Sequence, residues 1–288
     1  MGQGERGKRS RLLLCFAERL AGPFRRFFVT CILQVNMRLS DLQNASNNLN
    51  HGKDKIMLDA ITTHPHRLNS ATPPRLRSFV PVLFAIWLAL AFSLGALGFF
   101  ATPQGAPPIP LLLAVLIPVA LFVSGFWTWP SFRQLVLEAD LRLLTGIQAW
   151  RWAGFGFLGF YAAGLLPGYF AWPAALGDMS IGLTAPWIAL ALANRPGFAA
   201  SRAFIAWNIF GILDFVVAVG MGAVAPRLFP DLTQGVTTTL MVHLPQVLIP
   251  TFAVPMFTIF HLIALFQARH GESVLSRTRR LGSTEVAR

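Results

Sequence analysis

The sequence predicts an all-α, polytopic integral membrane bundle of six transmembrane helices, with an amphipathic cytoplasmic or interfacial helix between spans 2 and 3. Three observations carry that prediction. Runs of about 20 apolar residues recur along the chain, each long enough to cross a bilayer as a helix. Of the 288 residues, 54% are apolar and only 12% charged, whereas soluble domains carry about 25% charged residues. The net charge of +12 is concentrated in the tails and on one set of loops. That is the pattern of topology control and of attraction to anionic lipid, not of a nucleic-acid-binding face.

Residues 1–78 form a basic leader, largely disordered by composition, with thirteen Lys/Arg against five Asp/Glu. It is no secretory signal peptide. The apolar core at 12–16 is short, and Glu18, Arg19, Arg25 and Arg26 interrupt the residues after it. Residues 10–34 mix Arg with Leu, Phe and Ile, a composition suited to a helix lying on the membrane surface. Residues 38–55 hold four Asn and few apolar side chains. Translation starting at Met37 or Met57 is the competing account of this leader. Cys15 and Cys31 are the only cysteines and lack CxxC spacing, so they support neither a disulfide framework nor a zinc site.

The expected membrane domain covers 79–267. Its first span is 79–101, followed by an uncharged connection, 102–108, rich in Pro and Gly. The second is 109–129 and ends at Pro130. In 131–148, Phe132, Leu135, Val136, Ala139 and Leu143 recur at helical spacing while Arg133, Glu138 and Arg142 take other faces. That is the amphipathic helix. Spans three and four, 152–172 and 173–194, are joined with almost no loop and predict a tight hairpin. The fifth is 203–224. The sixth, 238–267, is interrupted by Pro245, Pro250 and Pro255. A basic tail, 268–288, completes the chain and is expected to be loose. The tetrapeptide VLIP occurs at 115–118 and again at 247–250, too short a match to establish a repeat.

Counting Lys/Arg by segment sets the orientation. The leader, the second and fourth connections and the tail hold all but one of the 24 basic residues; Arg227 is the exception. Arg133, Arg142 and Arg151 are counted to the second connection. The positive-inside rule then gives a bacterial-type inner-membrane protein with both termini cytoplasmic. Trp127, Trp129, Trp150, Trp152 and Trp207 fall near the inner boundary on this count.

Ionisable residues within spans are costly and mark function by default. Asp214 lies about 18 Å along the fifth span, near the midplane, and Asp178 about 8 Å into the fourth. His243 enters the sixth span from the same side, and His261 stands near its inner end. In a continuous sixth helix, His243, Gln246, Thr258 and His261 would fall within about 60° of one line. Gly211, Ala218 and Gly222 share the side of Asp214, which marks close helix contact. Asp214, Asp178, His243 and Gln246 are therefore the expected binding or proton-relay residues, lining a cavity open to the outer side. The competing reading is that Asp214 and Asp178 are hydrogen-bonded register pins or caps.

No catalytic set, cofactor or metal site is expected. His243 and His261 lie about 27 Å apart by rise, too far to clamp one haem. There is no nucleophile elbow, P-loop, GxGxxG or HExxH. The first functional expectation is binding or translocation of a small solute, proton or cation. The second is a membrane-embedded assembly or sensor subunit that docks partners or lipid, and whether it self-associates stays open. An intramembrane enzyme has least support.

Overall fold

A computed structural model of the chain describes residues 74–103, 106–224 and 235–286, with side chains described from 79 to 270. The chain divides into two units, Met1–Asn69 and Ser70–Arg288. The first lies outside the described residues, and with it most of the leader. The second unit holds every helix described below.

The fold is helical. Helix α1 is Pro74–Ala96 and α2 is Ile109–Thr128. After α2 come two short helices, α3 (Pro130–Leu137) and α4 (Leu141–Ile147). A 3₁₀ stretch, Gln148–Phe155, continues directly into α5 (Gly156–Ala162). Helix α6 is Gly168–Asn194, and α7 is Arg202–Val219, closed by a π-turn at Gly220–Val224. A 3₁₀ turn at Thr238–Val242 and a π-turn at Ile249–Ala253 lead into α8, Val254–Val286.

Five helical stretches are long and apolar enough to cross a membrane: Phe79–Ala96, Ile109–Thr128, Gly168–Asn194, Arg202–Val224 and Ile249–His270. Large apolar side chains such as Phe79, Leu83, Ile86, Leu121, Trp187 and Leu190 stand exposed around them. In water such a surface would be untenable; in a bilayer it is the lipid-facing coat. The protein is a multi-pass helical membrane protein. The last span is the hub, with 56% of its window buried against 11% for the first and second.

The first span ends at Ala96 and not at Ala101, and three further places depart from the expected boundaries. The third span is not one helix over 152–172. Its residues divide between the 3₁₀ stretch, α5 and the start of α6. Gly164, at φ 70°, and Pro167 make the turn. Only glycine takes that φ without strain, and proline fixes the extended entry to the next helix. Helix α6 therefore begins five residues before the expected Pro173.

The amphipathic helix over 131–148 is also broken. Asp140 caps a new helix, its carboxylate accepting from the Arg142 and Leu143 backbone N–H groups at 2.8 and 3.4 Å. Gln267 on α8 pins this break, donating to the carbonyls of Val136 and Ala139 at 2.9 Å each. Asp140→Ala is expected to lower stability by about 1 kcal/mol, the usual value of an N-cap. Thermal unfolding in mild detergent checks it.

The third shift is in the last span, which starts at Ile249 and not at Thr238. The α8 backbone then stays helical through the basic tail to Val286.

Candidate functional site

The 3₁₀ stretch decides what is buried. With 3.0 residues per turn, side chains three apart eclipse one another. Thr145, Gln148, Arg151, Gly154 and Phe157 recur at that spacing, and all five are buried. They form one edge facing α6, α7 and α8. Arg151 is 2% exposed, although the charge count had placed it in a connection.

Arg151 is the centre of the site. Its Nε donates to Asp178 Oδ1 on α6 at 2.8 Å. Its Nη2 donates to Asp214 Oδ2 on α7. Its Nη1 faces His261 Nε2 on α8 at 3.0 Å and the Gly211 carbonyl at 3.4 Å. The guanidinium carbon lies 3.9 Å from the centre of the Phe215 ring, a cation–π contact. Arginine only donates hydrogen bonds, so His261 Nε2 must accept, and the imidazole proton sits on Nδ1. From there it is donated to Asn208 Oδ1 at 2.9 Å, while Asn208 Nδ2 donates to the Phe204 carbonyl at 2.8 Å. His261 is 0% and Asn208 1% exposed.

Glycines make room for the two aspartates and the histidine. A Cβ on Gly154 would overlap Asp178, one on Gly177 would overlap Asp214, and one on Gly211 would overlap His261. Each of these three side chains thus lies against a glycine of a neighbouring element. At Gly182 the approach is backbone to backbone: an added Cβ would stand 2.8 Å from the Arg151 carbonyl carbon and 2.9 Å from the Trp152 Cα. Small residues at such crossings let helices come close enough to exchange hydrogen bonds in lipid.

Asp178, Asp214 and His261 sit at similar distances along their helices. Asp178 is ten residues beyond the start of α6 at Gly168, and Asp214 and His261 are each twelve beyond Arg202 and Ile249. At 1.5 Å per residue each stands about 15–18 Å along its helix from that end, a rise equal to half the thickness of a bilayer core. The early start of α6 is what takes Asp178 deeper than the expected 8 Å.

His243 and Gln246 stand elsewhere. His243 closes the 3₁₀ turn at Val242 in extended conformation and is exposed. Gln246 lies in the following turn, half-buried. Among the described residues neither bonds to either aspartate. Arg151 and Asn208 were not among the expected site residues, and His261, expected near the inner end of its span, belongs to the cluster.

Two cavities meet at this cluster. One, of about 660 Å³, runs from Thr102, Thr237, Thr238 and Thr239 at one end of the bundle down to Asp178. The other, of about 450 Å³, lies between the 3₁₀ stretch and the start of α8 and touches Arg151 and Asp178. Phe157, Phe215, Ile249 and Val254 wall both. Each aspartate uses one oxygen on Arg151. Among the described residues, Asp178 Oδ2 takes no hydrogen bond, and its side chain is 14% exposed.

The model of a protein family described as a domain of unknown function, DUF8737, matches residues 108–269. That is more than half of the chain. The chain belongs to this family. The matched region runs from the start of α2 through the last span, so in this member of DUF8737 it contains the whole Arg151 cluster and the smaller cavity, while α1 and the Ala101–Pro103 edge of the larger cavity lie outside it. No curated protein and no solved structure matches the chain.

Proposed function

We propose that the protein binds and translocates a small solute, proton or cation through the cavity that ends at Asp178. One observation carries the reading: the cluster at the cavity floor is one positive charge short. Arg151 supplies one cation to two carboxylates. With both ionised, the cluster holds a net negative charge, and one proton or one bound cation makes it neutral. Uncompensated charge at mid-membrane depth is costly, so the site has a physical reason to take up a positive species. The cavity supplies its route, and Asp178 is the acid that the route reaches.

The topology belongs to the same reading. Residues 141–162 are helical without a break. Seven residues at 1.5 Å, eight at about 2.0 Å and seven more at 1.5 Å give about 37 Å, more than a hydrocarbon core. This run is the third of six crossings, and it carries Arg151 to mid-depth. Both termini then face the cytoplasm of a bacterial-type inner membrane, where the basic tails meet anionic lipid.

The test is flux into reconstituted vesicles carrying an internal ion-sensitive dye. Asp178→Asn should lower proton or cation flux at least tenfold while the protein still elutes as a folded, monodisperse species. A wild-type protein that carries no flux, yet retains a stoichiometric partner through mild detergent, would favour the assembly or sensor reading instead.

A further inference from the structure

The geometry points to an organic cation with an apolar body, an aryl- or alkyl-ammonium, as the ligand of the larger cavity, its charged end at Asp178 Oδ2 and its body among Phe157, Phe170 and Leu111. This rests on the reading of that cavity as a solute site.

Four observations select the class. First, Asp178 is the one ionisable side chain among the described residues lining the cavity. Second, the other oxygen-bearing side chains that line the cavity are the neutral hydroxyls of Thr102, Thr237, Thr238 and Thr239. Thr238 Oγ1 donates to the Gly222 carbonyl at 2.8 Å, and the hydroxyls of Thr237 and Thr239 bond to each other. Hard divalent ions need about six oxygen ligands, and among the described residues no group of three His, Cys, Asp or Glu could hold a metal. An ammonium needs only a carboxylate oxygen and aromatic faces. Third, the rings of Phe157 and Phe170 meet edge to face at 5.6 Å and 69° in the cavity wall, a corner suited to a cation and its apolar stem. Fourth, about 660 Å³ is the size of a small-molecule site, far larger than a bare ion requires. Two π-turns also line this cavity, through Gly222 and Ala223 on one side and Ile249 and Pro250 on the other. Such turns recur at functional sites. With both carboxylates ionised, an anion would meet a net negative charge and a neutral solute would leave it unbalanced.

The experiment is equilibrium dialysis of the full chain in mild detergent against benzyltrimethylammonium, with protein-free micelles as the baseline. Its neutral carbon isostere, neopentylbenzene, and the anion benzenesulfonate are the comparators. The expected result is saturable one-to-one binding of the cation, at least tenfold weaker binding of the neutral isostere and none of the anion. Asp178→Asn should weaken cation binding at least tenfold. Val115→Trp, which fills the cavity away from the ion pairs, should do the same and keeps the test sound where the first variant folds poorly. Absent saturable binding, equal binding of the neutral isostere, or undiminished binding in Val115→Trp would overturn the ligand class. If cation binding is absent while Asp178-dependent proton flux persists, the ligand class falls and the solute-or-proton reading stands. If Val115→Trp leaves the flux unchanged, the cavity reading falls.

Discussion

Arg151→Met is expected to cost the protein most of its folded population, with the yield of monodisperse protein down at least tenfold. The substitution keeps an apolar stem of similar length and removes only the charge and its donors. It leaves Asp178 and Asp214 facing each other with no cation between them, and His261 Nε2 without a donor. Breaking a single buried pair costs about 3–5 kcal/mol. Here two carboxylates lose their partner together, and total stability is commonly only about 5–15 kcal/mol. The rescue separates electrostatics from shape. Arg151→Met combined with Asp178→Asn and Asp214→Asn removes all three charges and should restore the yield, because a neutral cluster carries no desolvation penalty for ions. That triple variant should fold and carry no flux. Size-exclusion profiles in detergent, read beside vesicle flux, check both halves. A triple variant no better than the single one would mean that Arg151 acts through packing.

Gly182→Ala is the second large effect. The added methyl meets the Arg151 and Trp152 backbone, not the end of a flexible side chain. No rotamer change relieves the overlap; α6 and the 3₁₀ stretch must separate. Overpacking costs about 1–3 kcal/mol where side chains can adjust, so about 3 kcal/mol or more is expected here, together with displacement of Arg151 from its carboxylates. The control is the same chemical change at Gly159 on α5, where an added Cβ meets nothing within 4 Å. There, greater helix propensity should stabilise by about 0.5–1 kcal/mol. Thermal unfolding of the two variants should move in opposite directions.

The membrane class was legible because hydropathy needs only a window of residues, and four of the five long spans begin within five residues of where that window puts them, the last beginning at Ile249 and not at Thr238. Asp178 and Asp214 were legible as candidates because a carboxylate in an apolar run stands out at once. Arg151 was not. A window sees a basic residue between two tryptophans and assigns it to a boundary, and a search at 3.6 residues per turn dissolves the edge that buries it. The signal present in the sequence was the triplet spacing of Thr145, Gln148, Arg151, Gly154 and Phe157, with Gly177 just before Asp178 and Gly211 three residues before Asp214. His243 and Gln246 were aligned with His261 by extending one helix back to Thr238. The chain instead turns between Val242 and Ile249, around Pro245, so their phase does not carry through. Moving Arg151 from the loops to the interior takes one cation from the second connection and leaves the charge asymmetry otherwise intact.

The proposed function depends most on a water-accessible path from one end of the bundle to mid-membrane depth. With Cys15 and Cys31 replaced by serine, a single cysteine is placed at Ala218, on the cavity wall one turn from Asp214, or at Thr238, at its mouth. Sealed vesicles of each variant are exposed, from one face at a time, to a membrane-impermeant thiol reagent. Both cysteines should react from the same face, the deeper one more slowly, and neither from the other face. A cysteine at 218 that reacts from neither face, or from the face opposite to the one at 238, would contradict the proposed path.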